Sequence, residues 1–444
     1  MKPSITQDEL KIPTLGPATI HSTLHLSHTM DDGQADFVPD TARVLYRVAT
    51  RTEKDFDCSL AFERAGPREQ IYFDPAKSRA AIVTCGGMSP GLNNVIRSIF
   101  LELYYNYGVR EIIGFKYGYR GMNPVHGNNP VFMTPDTVRS IHNQGGSLLG
   151  TSRGAEEPAV IVNRLQALGI NMFFCVGGDG TLRGAHAIYG EVARRGLKIA
   201  VIGVPKTIDN DIPFVYKTFG FDTAVGVVRQ AIDGAHTEAV GTPNGIGLVQ
   251  VMGRDSGFIA AYGTLASMEV NFCLVPEVPF ALEGNGGFLD LLEKRVVQRG
   301  HAVVVVAEGA GQGFFGGKEA VFDASGNRIH NDIGLLLKSK IKCHFDERGL
   351  MSSIKYIDPS YMIRSVKANA SDAIFCNDLA RNAVHAAMSG RTDTLVGLWH
   401  GIYTHVPNTL VTSSPPKRVR PESFLWRSVM QATGQPLRMG VGPA

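Results

Sequence analysis

The chain has 444 residues, 44% apolar and 19% charged, with a formal net charge of +3. That is an ordinary globular composition, enough for about two or three domains with their own cores. The charge is too small to argue for nucleic acid or an anionic membrane, no apolar run approaches the ~20 residues of a spanning helix, and the start, MKPSITQDEL, lacks a secretory profile.

Residues 1–75 are mixed and polar, with a short strand-like piece at 42–48, and read as an extension or small cap outside the catalytic core. From Arg79 onward, short β-rich runs alternate with helical stretches. The runs are AAIVT (80–84), EIIGF (111–115), MFFCV (172–176), IAVIGV (199–204), GLVQV (247–251) and AVVVVA (302–307). Apolar throughout, they suit central strands covered on both faces. Helices are expected at 92–107, 159–168, 182–195, 223–237 and 371–388. Such alternation predicts α/β architecture with largely parallel sheets, whose ligands collect at the carboxyl ends of the strands. Many of the 50 glycines fall there. The tail after Val406, with PNTL, SSPPKRVRP and GQP, is expected to wrap the surface. Six cysteines (58, 85, 175, 273, 343, 376) lie far apart, with no CxxC pair and no histidine at metal spacing, so they read as reduced thiols in a cytoplasmic setting.

Three strand ends carry candidate chemistry. AAIVT runs into CGGMSPG and then a helix, where glycine amides and a helix N-terminus can hold an anion, or simply make a tight turn. MFFCV runs into Gly177-Gly178-Asp179-Gly180-Thr181. Its carboxylate can hold Mg²⁺ beside a phosphate, or serve as a helix cap. IAVIGV runs into Pro205-Lys206-Thr207-Ile208-Asp209-Asn210-Asp211. Two close carboxylates need compensation, and a sugar hydroxyl that must lose a proton needs such a base. A solvated acidic turn is the plain alternative.

With TCGGMSPGLN, GGDGT, PKTIDND, MGRDSG and VPE in this order, residues 76 to 405 resemble the phosphofructokinases. The resemblance implies two doubly wound α/β domains with the active site between them, usually in a homotetramer (or homodimer), acting on ATP (or pyrophosphate) and fructose 6-phosphate with Mg²⁺. It divides the chain into 76–220 with 364–395 returning, as the donor domain, and 221–363 with 396–405, as the sugar-phosphate domain, leaving 1–75 and 406–444 as extensions. By the same resemblance Asp209 is the general base, flanked by Thr207 and Asp211, and Asp179 and Asp211 organise Mg²⁺. Gly86, Tyr119, Arg153, Gly178, Asp179, Gly180, Thr181 and Lys206 match donor-side positions. Met252, Gly253 and Arg254 match the substrate clamp, Arg254 also facing the moving phosphoryl group, and Glu277 matches the carboxylate for sugar hydroxyls. In KYIDPSYMIR, Lys355, Tyr361 and Arg364 fall where the family binds the sugar 6-phosphate.

The departures are specific. Lys355 and Tyr361 stand where many bacterial members have Arg and His, and Lys lacks the bidentate fork. Gly245 stands where those members place an arginine that reaches a neighbouring subunit. The extensions resemble the plant and trypanosomatid ATP-dependent branch. On the donor, pyrophosphate-dependent members carry a second Asp at the position of Gly180, which here leaves room for a nucleotide. Lys206 is shared with them but need not exclude one. ATP is therefore expected. A regulatory sugar-phosphate binder without turnover is the rival. The turn at 308–313 (EGAGQG) has the wrong glycine spacing for a dinucleotide, and Lys417-Arg418-Val419-Arg420 reads as solvated surface.

Overall fold

The computed structural model describes residues 5–29, 32–50, 52, 57–316, 321 and 329–440. The chain forms two compact units. The first comprises residues 1–207, 212–220 and 366–416, the second 208–211, 221–365 and 417–444.

In the first unit, nine described strands form one sheet in the order Arg43–Leu45, Ala61–Arg64, Ile402–Pro407, Thr394–Trp399, Ala200–Pro205, Met172–Gly177, Arg79–Thr84, Glu111–Phe115 and Val131–Phe132. The five strands from Thr394–Trp399 to Glu111–Phe115 are mutually parallel, and antiparallel strands close both edges. Alternation sorts their side chains. Ile82, Phe174 and Ile202 pack with Ile96, Phe100, Ala380 and Val384 of helices Leu92–Leu101 and Ala370–Met388. Val83, Phe173 and Val201 face the other way, onto Ile161, Leu165, Ile188 and Val192 of helices Pro158–Ala167 and Asp179–Arg194. Strands buried on both faces must be apolar at every position, which explains why these runs do not alternate. The expected helix over 92–107 is α-helical to Leu101, then continues as π-helix from Glu102 to Tyr107.

Two stretches at the expected boundaries pair with the large sheet. Within 1–75, expected as an extension or small cap, Ile20–His21 and Gln70–Ile71 form a two-stranded sheet of their own, while Arg43–Leu45 and Ala61–Arg64 extend the large sheet through Ile402–Pro407. Buried Arg391 clamps Glu63 and reaches Asp40 at 2.7 Å, while buried Arg68 holds Asp40 at 2.9 Å and Glu63 at 3.2 Å. Residues 396–405, expected in the second domain, pair within the first sheet instead.

The second unit has a four-stranded parallel sheet in the order Phe272–Leu274, His301–Ala307, Gly245–Val251, Ser353–Ile357. Val249, Val303 and Val305 pack on Val228 and Ile232 of helix Phe221–Val240, Ile259 of helix Phe258–Ser267 and Trp426 of helix Phe424–Thr433. Leu248, Val304 and Val306 pack on Leu292, Val296, Leu337 and Ile341 from two helices on the opposite face. The end of the chain, expected as a surface wrap, thus contributes Trp426 and Val429 to this core.

Candidate active site

In the first unit, register brings three strand ends together. Thr84 lies opposite Val176, and Gly177 opposite Pro205, so CGGMSPG, GGDGT and the start of KTIDND leave the sheet side by side. Backbone bonds lock them: Cys85 N–H donates to Val176 O, Gly86 N–H to Ser152 O and Lys206 N–H to Gly177 O, each at 2.9 Å. The left-handed φ of +83° at Gly86 favours glycine. Lys206 is buried, and its Nζ donates to Gly87 O at 2.6 Å, so its charge sits in the first glycine loop. The Cys85 thiol beside it is buried and pushed up to about 12 by that burial, which rules it out as a nucleophile.

Gly178 caps helix Asp179–Arg194, and Asp179 begins it, ion-paired with Arg183 at 2.6 Å. A side chain built at Gly180 meets nothing within 4 Å, so the turn is open there. Thr207 O accepts from Thr218 Oγ1 at 2.7 Å. Tyr119, expected to face the donor, is buried. Its hydroxyl donates to Thr181 O at 2.8 Å, so it braces the GGDGT turn from beneath. The aromatic that faces open space is Tyr117, which with Arg120, His126, Asn128, Thr151 and Ser152 lines a cavity of about 430 Å³. Arg153 follows these residues and is exposed.

The second unit holds the rest of the PKTIDND motif. Asp209 is nearly buried, and its Oδ2 lies 3.7 Å from Arg254 Nε. Asn210 adopts a left-handed φ of +54° between the two carboxylates. MGRDSG leaves the end of Gly245–Val251, with Gly253 and Arg254 both at positive φ. Two carboxylates from adjacent strands hold this loop. Glu308 Oε1 accepts from Arg254 N–H at 2.7 Å and Gly253 N–H at 3.2 Å, and Glu277 Oε1 accepts from Gly257 N–H at 2.9 Å. Burial raises both carboxyl groups, with backbone donors opposing it in each. Glu277 Oε2 is buried without a hydrogen-bond partner among the described residues, an acceptor that a substrate hydroxyl would satisfy.

Met252 sits half-buried at the start of the clamp. Tyr361 and Arg364 stack, the guanidinium 4.6 Å from the ring centre, whereas Lys355, on strand Ser353–Ile357, lies 3.9 Å from Glu238. Two contributors went unread in the sequence. Glu308, at the start of the EGAGQG turn, carries no motif of its own in the sequence, yet its carboxylate holds the clamp loop. In the basic run at 417–420, Arg418 and Arg420 are exposed, but Lys417 and Val419 turn inward: Lys417 Nζ donates to Asn210 Oδ1 at 3.1 Å, Lys417 N–H to Asp211 O at 2.7 Å, and Val419 N–H to Glu277 Oε1 at 2.8 Å. Burial pulls the Lys417 ammonium down to about 8 against the attraction of Asp211.

Residues 79–387 match the family profile for phosphofructokinase. The chain belongs to the phosphofructokinase family. An ATP-dependent 6-phosphofructokinase of Borreliella burgdorferi is 46% identical over 438 residues, 97% of this chain and 98% of that one. ATP-dependent 6-phosphofructokinase 7 of Arabidopsis thaliana is 47% identical, covering 87% of this chain and 79% of its own. The ATP-dependent enzyme of Trypanosoma brucei brucei is 42% identical, covering 97% and 88%. Among solved structures, a pyrophosphate-dependent phosphofructokinase from Marinobacter aquaeolei shares the phosphofructokinase fold at a TM-score of 0.66 and 20% identity, over 83% of this chain and 93% of that one. The likeness to both the plant and trypanosomatid enzymes agrees with the branch suggested by the extensions.

Proposed function

We infer that the chain is an ATP-dependent 6-phosphofructokinase, transferring the γ-phosphoryl group of Mg-ATP to the C1 hydroxyl of fructose 6-phosphate in glycolysis. The products are fructose 1,6-bisphosphate and ADP. The observation that carries the acceptor chemistry is the nearly buried Asp209 carboxylate 3.7 Å from Arg254. Asp209 takes the C1 hydroxyl proton as the C1 oxygen attacks the γ-phosphorus, the bond to the β-phosphate oxygen breaks, and ADP leaves with that electron pair. Arg254, Lys206, Thr207 and the Gly86 turn meet the charge on the moving group, so rate comes mainly from positioning and charge neutralisation. Glu277 accepts from a sugar hydroxyl, with Met252 and Gly253 shaping the clamp. Tyr361 and Arg364 are assigned to the 6-phosphate, and Lys355 joins them on exchanging Glu238 for phosphate. On the donor side, Gly178, Gly180 and Thr181 frame the phosphates with Arg153, while Tyr117 and Arg120 take the facing role expected of Tyr119.

Mg²⁺, carried with the nucleotide, would supply positive charge to offset that of its phosphates. Asp179 and Asp211 are hard oxygen donors suited to hold it. Among the described residues no group of three or more His, Cys, Asp or Glu side chains forms a metal cluster. An ion held chiefly by phosphates and water needs only one or two protein carboxylates. A cytoplasmic homotetramer (or homodimer) completes this reading, and light scattering on the purified protein tests the assembly. The activity is tested with fructose 6-phosphate and Mg²⁺, offering ATP and pyrophosphate separately. Fructose 1,6-bisphosphate formed with ATP supports the reading. Turnover with pyrophosphate alone would reverse the donor, and none with either would favour the regulatory binder.

A further inference from the structure

The segment Lys417–Val419 lies outside the family match at 79–387, yet it touches three acceptor-side elements of the second unit. Pro415 and Pro416 precede it. They fix φ and have no N–H, so Lys417 supplies the first backbone donor of the run, and it goes to Asp211 O at 2.7 Å. The Lys417 side chain runs back over the Phe258 ring, 5.4 Å from its centre, to reach Asn210 Oδ1 at 3.1 Å. Val419 is 2% exposed and packs in the cluster containing Ile208, which anchors the segment while its amide holds Glu277.

Asn210 links the two carboxylates of the motif in a left-handed conformation, which Asn tolerates better than other side-chain-bearing residues but which contacts to its surroundings still favour. Lys417 grips this residue at both levels, by a side-chain bond to its amide and a backbone bond to the next carbonyl. It also brings a positive charge to a region crowded with Asp209, Asp211, Glu277 and Glu308, where an anionic donor must be received.

We propose that Lys417 is a positioning residue of the phosphoryl transfer, holding the Asp209-Asn210-Asp211 turn in its reactive geometry. The proposal rests on the assignment of Asp209 as base. It separates two kinetic effects. Lys417 acts through the turn that carries the base, so its loss reduces kcat. The Val419 amide acts through Glu277, so its loss raises KM for fructose 6-phosphate.

The test is steady-state kinetics of the full chain with ATP and fructose 6-phosphate, beside thermal melts. Lys417→Met is expected to lower kcat on the order of 10- to 100-fold, since displacing a reacting group by about 1 Å costs this much. The KM for fructose 6-phosphate should stay within about threefold. Lys417→Arg, which keeps charge and donor, should recover most of kcat. Val419→Pro should show the opposite split. Should Lys417→Met fail to fold, Lys417→Ala removes the donor and the charge without setting a thioether against Asn210 and is read by the same split. Wild-type-like kcat in a folded Lys417→Met or Lys417→Ala protein overturns the proposal. So does a lowered melting temperature with kcat per folded molecule unchanged. An inactive wild-type protein would instead remove the underlying assignment, so the two failures are distinguishable.

Discussion

The open turn at Gly180 makes donor choice testable by one substitution. Gly180→Asp places a carboxylate in the first turn of helix Asp179–Arg194, where a built Cβ meets nothing within 4 Å. The fold therefore has no steric reason to change, and an acid near a helix N-terminus is favourable by about 0.3–1 kcal/mol. The melting temperature should hold or rise slightly. Against a donor phosphate at about 5 Å, an effective dielectric constant near 20 gives a repulsion of about 3 kcal/mol. Arg183, three residues on and already paired with Asp179, offsets part of that charge. A net loss of about 1.5–3 kcal/mol, or roughly 10- to 100-fold in kcat/KM for ATP, remains. The assay is kcat/KM for ATP at saturating fructose 6-phosphate across a salt series, because an electrostatic loss should shrink as ionic strength rises. Unchanged kcat/KM for ATP in a protein that melts like wild type would show that the donor phosphates do not approach this turn.

Three further outcomes are expected. Asp209→Ser should lower kcat by about 10²- to 10⁴-fold, while the dissociation constant for fructose 6-phosphate, read by calorimetry, changes little. Tyr117→Ala should raise KM for ATP without shifting the melt, whereas Tyr119→Ala should destabilise the fold by about 3–5 kcal/mol, as for other buried aromatics. Kinetics and melts on the pair distinguish these roles. Burial alone would raise the Glu63 carboxyl, but His405 and Arg391 hold it well below its ordinary 4.5. The unfolded chain takes up that proton near 4.5 and the folded chain resists, so the contribution is present above that pH and lost as pH falls below it. Glu63→Gln should lower the melting temperature at pH 7 and flatten its decline between about pH 5 and 3.

The parts legible in the sequence are those whose cause is local. A strand buried on both faces must be apolar along its length, so MFFCV and IAVIGV announce themselves. A chain that turns sharply beside phosphate must use glycine, so the loops after Thr84 and Gly177 do too. The acceptor assignment came instead from the family resemblance that PKTIDND and MGRDSG carry. The sheet edges were harder to read. Arg43–Leu45 and Ala61–Arg64 are short, and they belong to the large sheet because Ile402–Pro407, more than 300 residues on, offers them a free edge. Nothing in their own composition says so.

The misread site residues share one cause: each does its work through a partner far along the chain. Tyr117 and Tyr119 are two residues apart, and no periodicity within YGYRG says which is buried. The structure decides it, because Gly184 lies under Tyr119, where a built Cβ would come within 2.7 Å of the ring, and Thr181 offers the carbonyl its hydroxyl needs. Glu308 ends a strand and looked like turn material until its neighbour Gly245–Val251 placed the amides of Gly253 and Arg254 opposite it. Lys417 lies 207 residues from Asn210, in a run whose Lys and Arg content is typical of solvated tails. Composition was the wrong guide there, because a cationic side chain leaves water when carboxylates and a ring receive it. Apolar patterning reports burial on both faces of a sheet, but it cannot report burial of a charge, which depends on the partner.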